Sequence, residues 1–391
     1  MKENLLYLVH RIPFPPNKGD KIRSFHLLEY LSKRYNVYLG TFIDDPEDWK
    51  YRQEVEKFCS ECCILELEPK AARLKSLSGL FTGSALSLPY YRNRMLETWV
   101  GNRIRERRIG KTVVFSSPMA QYVEKHGEML RIMDFVDVDS DKWKQYSDSC
   151  SFPSNLIYAR EGRRLEDYER KIAAEFDASF FVSEQEAEHF RKIAPESSRK
   201  IHDYPNGVNA DYFSPEREYE NPYPPGEGVL VFTGAMDYRP NIDAVLWFAE
   251  EVFPKLPGTR FYIVGSNPAD AVRSLSGRPG IHVTGRVADV RPYLAHARLA
   301  VAPLRIARGI QNKVLEALAM GKMVAASPQA MEGIPDNDGC TVCADAQEFV
   351  RSIEKMLDSG SDDRRGREFV LRHFDWQSNL ERLSSHLAGT P

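Results

Sequence analysis

The segment Pro303–Lys322 brings a cation and a carboxylate to the start of a helix-like pattern. Its apolar residues recur at helical spacing and predict a helix opened by Gly309; they are Ile310, Val314, Leu315 and Leu318. Lys313 would lie in the first turn, where a cation opposes the helix dipole, and Lys before Glu316 is the weaker order for a helical ion pair. A solvated Lys–Glu face is the alternative, and we favour an anionic ligand.

A diphosphate fits this expectation. Helix N-termini bind phosphate through their free N–H groups. The segment also follows a predicted strand, and ligands of open α/β sheets collect beyond the carboxyl ends of strands. Lys313 and Arg305 could therefore bind a diphosphate together. Glu316, one turn deeper, could accept hydrogen bonds from a ribose.

A second candidate site is acidic. Four carboxylates occur within eight residues at the end of another predicted strand: Asp134, Asp137, Asp139 and Asp141. A capped loop with solvated acids would explain them equally well. His10 and His126 also lie near strand ends, but a lone histidine is more often a hydrogen-bonded structural residue, so neither is chosen.

The elements that must position these residues alternate between strands and helices, which is typical of parallel α/β layers. The first series of predicted strands is Leu5–Val9, Val37–Ile43, Cys63–Leu67, Val113–Ser116, Arg131–Phe135, Ala178–Val182 and Ile201–Tyr204. The second is Val229–Thr233, Arg260–Val264, Ile281–Thr284, Leu299–Ala302, Met323–Ala326 and Thr341–Ala344. We predict two doubly wound Rossmann-like domains that face each other.

Breaker residues set the predicted boundaries. Residues 206–228 are rich in Pro and Gly and suit a connector between a domain at 1–205 and a domain at 229–373. Apolar residues at helical spacing between Phe374 and Leu387 predict a final helix, in 374–391, that packs across both domains.

The composition excludes several classes of protein. The chain is 42% hydrophobic and 28% charged, and its longest apolar run is Ala244–Ala249, far below the roughly 18 residues of a spanning helix. Leu5–Val9 is too short for a signal peptide, and six cysteines suggest reduced thiols, so we expect a cytoplasmic protein. Neither C-x-x-C pair has a flanking His at the spacing of a zinc site, which disfavours a structural zinc. The motifs of dinucleotide dehydrogenases, P-loop kinases, serine hydrolases and zinc proteases do not occur either; they are G-x-G-x-x-G, G-x-x-x-x-G-K-[ST], G-x-S-x-G and H-E-x-x-H.

The charge is unevenly distributed. The whole chain has a net charge of −3, yet residues 70–111 contain ten Lys or Arg against Glu97 and Glu106. Aromatic residues such as Tyr90, Tyr91 and Trp99 interleave with these cations, a pattern that suits an anionic lipid surface. Solvated helix faces would explain the arginines equally well. Nucleic acid is disfavoured because no nucleic-acid-binding module is recognisable.

Several segments resemble the family 4 glycosyltransferases, which have the two-domain GT-B fold. Glu316-Ala-Leu-Ala-Met-Gly-Lys-Met-Val-Ala resembles the family's E-A-M-A-x-G-x-P-V-V segment. Five further segments follow the family's order: Pro13-Phe-Pro-Pro with Gly19, Asn206-Gly-Val-Asn209 with Tyr212, Phe232-Thr-Gly234 with Pro240-Asn241, Gly285-Arg286-Val287, and Trp376 at the terminal helix. A subgroup of these sugar transferases that is associated with exopolysaccharide assembly has the same sequence motif, Gly309-Ile-Gln-Asn-Lys-Val-Leu-Glu-Ala.

The resemblance implies a retaining glycosyltransferase of hexosyltransferase type, which moves a sugar from a nucleotide diphosphate-sugar to a glycan or lipid-linked acceptor without a metal. It implies a donor site formed by Gly234, Asn241, Arg286, Val287, Arg308, Gly309, Ile310, Gln311 and Glu316. Related enzymes often carry a His where the acidic strand end lies, so Asp137 is the candidate for contacting the acceptor hydroxyl, and Asp134, Asp139 and Gly19 would line the acceptor side. Asp137-Val-Asp139 also spells the D-x-D of single-domain, metal-dependent sugar transferases, against which the two-domain pattern argues.

The chain departs from the family at two places. Ala235 and Pro240 replace the usual Arg and Lys of the diphosphate loop, which leaves Arg305 and Lys313 as the candidate catalytic cations. Arg308 replaces the usual first Glu, and it would either bind the diphosphate or select a sugar that carries a carboxylate. These departures keep open a non-catalytic GT-B protein that binds glycan or stabilises a partner enzyme. An epimerase or phosphorylase would need groups that we do not identify.

Overall fold

The computed structural model of the chain describes residues 2–16, 19–226, 228–307, 309–358 and 364–388, without the side chains of residues 148 and 149. The chain divides into two compact units. The first unit comprises Met1–Pro205 and Asn379–Pro391, and the second unit comprises Asn206–Ser378. Within the part of the chain that is described, no helix has the length and apolar character required to cross a bilayer.

The first unit is built on a seven-stranded parallel sheet. Its strands are β1 (Asn4–Val9), β2 (Asn36–Ile43), β3 (Glu61–Glu66), β4 (Lys111–Phe115), β5 (Leu130–Val136), β6 (Ala178–Phe181) and β7 (Ile201–Asp203). Their order in the sheet is β3-β2-β1-β4-β5-β6-β7. Leu5 of β1 is paired with Val37 on one side and Lys111 on the other. β1 is therefore a central strand, which agrees with its continuous apolar sequence.

The described helices that precede residue 206 all belong to this unit. They are α1 (Gly19–Arg34), α2 (Arg52–Glu56), α3 (Pro69–Ser76), α4 (Ser78–Thr82), α5 (Ser87–Tyr91), α6 (Arg94–Arg107), α7 (Asp139–Ser149), α8 (Ser154–Glu175) and α9 (Glu184–Ile193). Local capping explains where two of them begin. The Asn93 side chain accepts a hydrogen bond from Met95 N at 2.8 Å before α6, and Ser183 accepts one from Glu186 N at 3.2 Å before α9.

The second unit is built on a six-stranded parallel sheet. Its strands are β8 (Gly228–Thr233), β9 (Thr259–Val264), β10 (Ile281–Gly285), β11 (Leu299–Ala302), β12 (Val324–Ala326) and β13 (Cys340–Val342). They are arranged in the order β10-β9-β8-β11-β12-β13. Its helices are α10 (Arg239–Trp247), α11 (Asp270–Arg273), α12 (Arg291–His296), α13 (Asn312–Ala319), α14 (Ala346–Asp358) and α15 (Arg364–His373), and the chain ends with α16 (Trp376–Leu387).

Every strand predicted from the sequence forms within a few residues of its expected bounds, and each unit has the expected doubly wound α/β architecture. Each unit also has its own hydrophobic core. The first core includes Leu6, Phe42 and Phe181, and the second includes Phe232 and Leu315. The cores bury the apolar runs of the central strands, which is why those runs were readable in the sequence.

The described part of the Pro- and Gly-rich segment, residues 206–226, lies within the second unit and packs against its other residues. Val208 N donates to Phe374 O at 2.9 Å, and a Cβ at Gly207 would lie 2.8 Å from Cγ of the Trp376 indole. Further along, the Tyr223 hydroxyl donates to Tyr293 O at 2.6 Å. The segment is therefore held by the second unit along much of its length.

Both sheets contain a switch point, where the strand order reverses. It lies between β1 and β4 in the first unit and between β8 and β11 in the second. At such a point the loops after the two strands turn to opposite faces of the sheet and leave a crevice at the carboxyl ends. The candidate binding residues of each unit are therefore expected at the carboxyl ends of the strands beside its switch point.

Candidate active site

The loop after β11 and the start of α13 lie at the switch point of the second unit. The helix begins at Asn312 rather than at Gly309, so the prediction that Gly309 opens it is wrong. Gly309 lies in the preceding turn with φ of 63°, a left-handed conformation that glycine adopts without a steric penalty. The Gln311 side chain donates to Gly309 O at 3.0 Å, and Ile310 is buried with its Cγ1 3.0 Å from where a Cβ at Gly333 would lie.

Lys313 is held at this edge by residues of two other segments. Its Nζ donates to Asn241 Oδ1 at 2.5 Å and lies 4.4 Å from the centre of the Phe232 ring. Phe232 belongs to β8 and Asn241 to the first turn of α10. Burial lowers the pKa of Lys313 to about 7, although Glu316 acts in the opposite direction. The positive charge of Lys313 is thus poorly compensated by the protein, and an anionic ligand would stabilise it.

Glu316 lies one turn further along α13 and is also partly buried. Burial raises the pKa of its carboxyl to about 7, and Lys313 opposes that rise. Its charge also contributes, after burial and Asp289, to raising the pKa of Tyr212. Glu316 is therefore close to Tyr212, a residue that the sequence analysis used only as part of the connector motif.

Glycines make room for this arrangement. Gly234 follows β8 with φ of 154°, and a Cβ there would lie 2.7 Å from Asn241 Nδ2 and 3.4 Å from Lys313 Nζ. Asn241 Nδ2 donates to Ala235 O at 2.9 Å, which fixes the amide beside Gly234. A Cβ at Gly265 would lie 1.6 Å from Gly234 O. Gly265 has no signal in the sequence, because no local pattern reveals that the loop after β8 crosses the end of β9.

The structure gives Arg305 a different partner from the expected one. Its guanidinium binds the Asp243 carboxylate of α10, with Nε donating to Oδ2 at 2.9 Å and Nη2 donating to Oδ1. The side chain is 52% exposed. Its charge is therefore already neutralised by Asp243 rather than directed at an open position. Arg308 lies outside the described residues.

Arg286 and Val287 follow β10, which lies two strands from β8 in the sheet. Gly285 before them has φ of 69°. Val287 packs against the hydrophobic core, whereas the Arg286 side chain is exposed and forms no ion pair with any of the described residues. Arg286 is therefore free to contact a ligand, and Val287 has a packing role in this structure.

The acidic strand end in the first unit is neutralised by a lysine. Asp137 and Asp139 accept hydrogen bonds from Lys142 Nζ at 2.8 and 2.9 Å. Although burial opposes it, the attraction of these carboxylates raises the pKa of Lys142. Within the described ranges, no group of three or more His, Cys, Asp or Glu is arranged to hold a metal ion. The two carboxylates are paired with the lysine in this structure.

The backbone before Asp137 is strained. Val136 has φ of 72°, which is rare for a β-branched residue, and the pairing of β5 with β6 shifts register between Asp134 and Val136. Strain of this kind persists only where neighbouring contacts enforce it, and it is concentrated at functional sites. It turns the chain sharply at the carboxyl end of β5.

Asp134 does not lie where the sequence analysis expected it. Its carboxylate is fully buried, accepts hydrogen bonds from Arg23 Nε at 3.0 and 3.2 Å, and also accepts one from the Tyr204 hydroxyl. Arg23 is itself fully buried and donates to Tyr204 O at 2.9 Å. The expectation that Asp134 lines the acceptor side is therefore corrected: this carboxylate compensates a buried guanidinium in the core.

A polar cluster missed by the sequence analysis lies at the switch point of the first unit. The Arg11 guanidinium donates to Asp20 at 2.9 Å and to Asp44 at 2.7 Å, and His10 Nε2 lies 3.6 Å from Asp20. Although burial opposes the shift, His10 and Arg11 lower the pKa of Asp20. Gly19, the first residue of α1, is exposed next to this cluster in sequence. His10 and Arg11 follow β1, Asp20 lies in the first turn of α1 and Asp44 follows β2, so no single local pattern in the sequence reveals the cluster.

One segment of the chain matches a known protein family. Residues 227–359, which contain the Lys313 site, match a family model described as Glycosyl transferases group 1. No curated protein sequence matches the chain.

Solved structures share the fold along the whole chain. A sucrose-phosphate synthase from Thermosynechococcus elongatus is 16% identical, with a TM-score of 0.70 and 99% of each chain covered. Anabaena HepE in complex with UDP and glucose is 14% identical, with a TM-score of 0.63 over 99% of this chain and 100% of that one. WaaG, a glycosyltransferase involved in lipopolysaccharide biosynthesis, is 15% identical, with a TM-score of 0.65 and the same coverage.

The TM-scores and the coverage of these matches establish the GT-B fold and confirm the fold prediction. The expectation of a glycosyltransferase is also confirmed, because residues 227–359 match the model of glycosyl transferases group 1 within a chain of that fold.

Proposed function

We propose that the chain transfers a sugar from a nucleotide diphosphate-sugar to a glycan or lipid-linked acceptor, with retention of configuration, in exopolysaccharide or cell-surface polysaccharide biosynthesis. The observation that carries the proposal is Lys313 Nζ, held by Asn241 and Phe232 at the switch point of the second unit. Ligands of doubly wound sheets bind at this position.

The chemistry of the transfer explains why a lysine is needed there. When the bond between the sugar and the diphosphate breaks, its electron pair stays on the departing oxygen. A preorganised cation and helix N–H groups stabilise that charge in the transition state. The residue before α13, Gln311, forms no capping hydrogen bond to the first turn through its side chain, so this helix end remains available to the diphosphate.

The donor assignment draws on the structural relatives. HepE was solved with UDP and with glucose, which supports a nucleoside diphosphate-sugar as the donor class here. WaaG is described as acting in lipopolysaccharide biosynthesis, which supports a cell-surface glycan as the product class. Retention of configuration and the absence of a metal rest on the resemblance to family 4. Gly234, Gly309 and Gln311 would place backbone groups near the donor, and Glu316 would accept ribose hydroxyls.

The acceptor is assigned to the first unit. Asp137 follows the strained Val136 at the end of β5 and is the proposed contact for the acceptor hydroxyl, with Asp139 and Gly19 on the same side. Lys142, which binds Asp137 and Asp139, would have to release one of them when an acceptor enters. The enzyme would work in the cytoplasm, where nucleotide sugars are the donors.

The test is transfer activity of Lys313→Ala against a panel of nucleotide sugars. Loss of one preorganised charge contact should lower the rate about 10²–10³-fold, as for an oxyanion-hole donor. Lys355→Ala is the matched control, because Lys355 is an exposed lysine of α14 in the same unit. Turnover of Lys313→Ala close to that of the control would remove Lys313 from the site.

A further inference from the structure

Helices α3 and α4 expose large apolar side chains. Phe81 is 92% exposed, Leu74 73%, Leu77 44% and Leu80 40%. Single exposed apolar residues are common on protein surfaces, but clusters of them mark sites of interaction. Here four occur within eight residues of a helical segment.

An ordinary surface helix buries its large apolar side chains, whereas this segment exposes them. Its buried residues are the small ones, Ala72, Ser76 and Gly79. At 100° per residue, Leu74, Leu77 and Phe81 lie on the opposite face from this buried stripe. Close packing explains the small residues, because a Cβ at Gly79 would lie 3.2 Å from both Leu86 Cδ2 and Ser84 O. The fold therefore directs the large apolar side chains outward.

Cations without acidic partners flank this ridge. None of Lys70, Arg73, Lys75, Arg92 and Arg94 forms an ion pair with a carboxylate of the described residues. Glu97 is the sole acidic residue between Lys70 and Arg103 in the sequence. Burial, followed by the nearby charges of Arg92 and Arg94, lowers the pKa of Lys75, which shows how closely these cations are gathered. Lys75 also donates to Arg92 O, so α3 is joined to the segment that precedes α6.

The structure leaves only part of residues 70–111 available for the lipid-binding surface that the sequence predicted there. The apolar face of α6 is turned inward, with Leu96 and Val100 fully buried. Trp99 donates to Glu61 at 3.1 Å, and Arg103 also binds Glu61, at 2.9 Å. These residues are engaged within the unit, so most of the exposed apolar side chains lie on α3 and α4, and the unpaired cations lie on α3 and at Arg92 and Arg94.

A second apolar group lies beside the ridge. Phe152 is 76% exposed and Leu156, in the first turn of α8, is 60% exposed. One turn further along α8, Arg160 donates to Gly79 O at 2.8 Å and to Ser84 O at 3.2 Å. The start of α8 is thereby fastened to α4, which brings both apolar groups to the same region of the first unit.

We propose that α3 and α4 form a membrane-docking ridge, which inserts Leu74, Leu77 and Phe81 among the lipids of an anionic bilayer while Arg73 and Arg92 bind the headgroups. Apolar side chains ringed by unpaired cations match the composition of an interfacial, rather than spanning, membrane contact. The proposal is independent of the glycosyl transfer proposed above, because its evidence lies entirely in surface residues of the first unit.

The position of the ridge suits a lipid-linked acceptor. Helix α5, which follows α4, carries Tyr91, whose ring lies 5.8 Å from the ring of His10 at the switch point of the same unit. A membrane bound at the ridge would thus lie close in the structure to the edge where the first unit is expected to receive its acceptor. This consequence, unlike the docking itself, rests on the proposed function.

The test is flotation of the full chain with vesicles made of equal parts phosphatidylcholine and phosphatidylglycerol. The variant Leu74→Ser/Phe81→Ser should lose at least about tenfold in vesicle affinity, because each buried apolar side chain of this size contributes that much. Arg73→Gln/Arg92→Gln should lose about fivefold per charge at low salt. The matched controls are Leu371→Ser, an exposed leucine of the second unit, and Arg105→Gln on α6.

Each outcome decides the proposal. Binding of both ridge variants equal to that of the controls would overturn it, as would equal binding of the wild type to vesicles of pure phosphatidylcholine. Sedimentation velocity without lipid tests whether a second copy of the chain binds the ridge instead. If the wild type is a dimer and the Leu74→Ser/Phe81→Ser variant is a monomer, the ridge is a contact between two copies and the membrane proposal is overturned. Affinity for free nucleoside diphosphate should be unchanged in every ridge variant, so failure of the docking proposal and failure of the transfer proposal are distinguishable.

Discussion

At the scale of single residues, Lys313 and Glu316 are opposite charges that the fold does not allow to compensate each other fully. Burial brings the pKa of both to about 7, downward for the lysine and upward for the glutamate. Each group therefore favours its neutral form more strongly in the folded chain than in the unfolded chain. An anionic ligand would restore the charge on Lys313, so binding of a diphosphate should weaken as pH rises above about 7.

Glu316→Gln tests this account through stability. The folded chain retains the Glu316 proton up to about pH 7, whereas the unfolded chain releases it near the usual pKa of 4.5, so the wild type loses stability as pH rises through that window. Gln cannot ionise and avoids the loss. We expect the variant to be more stable than the wild type by about 1–2 kcal/mol at neutral pH and no different at acid pH. Urea unfolding at both pH values measures this.

The Lys313 shift has the opposite dependence on pH and separates the two contributions. Its pKa is lowered, so the unfolded chain binds the proton more tightly between about 7 and 10.5, and the destabilisation disappears as pH rises through that range. A Glu316→Gln variant that gained stability equally at all pH values would contradict the assignment, because the gain would then come from packing.

At the scale of elements, the proposed donor site depends on how closely two loops cross. The loop after β8 passes over the start of the loop after β9, and both positions at the crossing are glycine. The same loop leads into α10, which supplies Asn241 to Lys313 and Asp243 to Arg305. A side chain at the crossing would therefore displace the partners of both cations.

Gly234→Ala should lower nucleoside diphosphate affinity by about tenfold or more, because the new Cβ would lie 2.7 Å from Asn241 Nδ2 and force it away from Lys313. Calorimetric titration with UDP measures the change. Gly277→Ala is the matched control: a Cβ there meets no described atom within 4 Å, and stability and affinity should stay within about 0.5 kcal/mol of the wild type. Wild-type affinity in Gly234→Ala would show that the crossing does not position the lysine.

At the scale of the whole molecule, the chain consists of two units with separate cores. Gly234, Asn241, Lys313 and Glu316 all belong to the second unit, while Asp137 and Gly19 belong to the first. The proposed donor and acceptor residues are therefore carried by different cores. A ligand that contacts a single unit should stabilise that unit in particular.

Differential scanning calorimetry of the full chain tests this division. UDP at 100 times its dissociation constant should stabilise the second unit by about 2.7 kcal/mol and shift its unfolding to higher temperature, with a smaller effect on the first unit. Lys313→Ala should abolish the shift without lowering the transition of the unliganded protein. Stabilisation of the first unit alone would reverse the assignment of donor and acceptor units.

The sequence by itself determined the architecture, and it indicated where the proposed donor site lies in the chain. Strand bounds were predictable because central parallel strands are buried on both faces and read as continuous apolar runs. Lys313 became a candidate because a lysine in the first turn of an amphipathic helix violates a local preference, and such violations are expected at functional sites. Both signals act over fewer than about ten neighbouring residues, within reach of a pattern in the sequence.

Only the tertiary structure decided which charges are already paired. Arg305 and Asp243 are separated by 62 residues, and Arg23 and Asp134 by 111, so no local pattern identifies either pair. The same holds for Leu74 and Phe81, which are exposed because the smaller Ala72 and Gly79 occupy the buried face of the segment. Burial and charge compensation depend on which distant segments meet, and that is established when the layers pack together rather than along the chain.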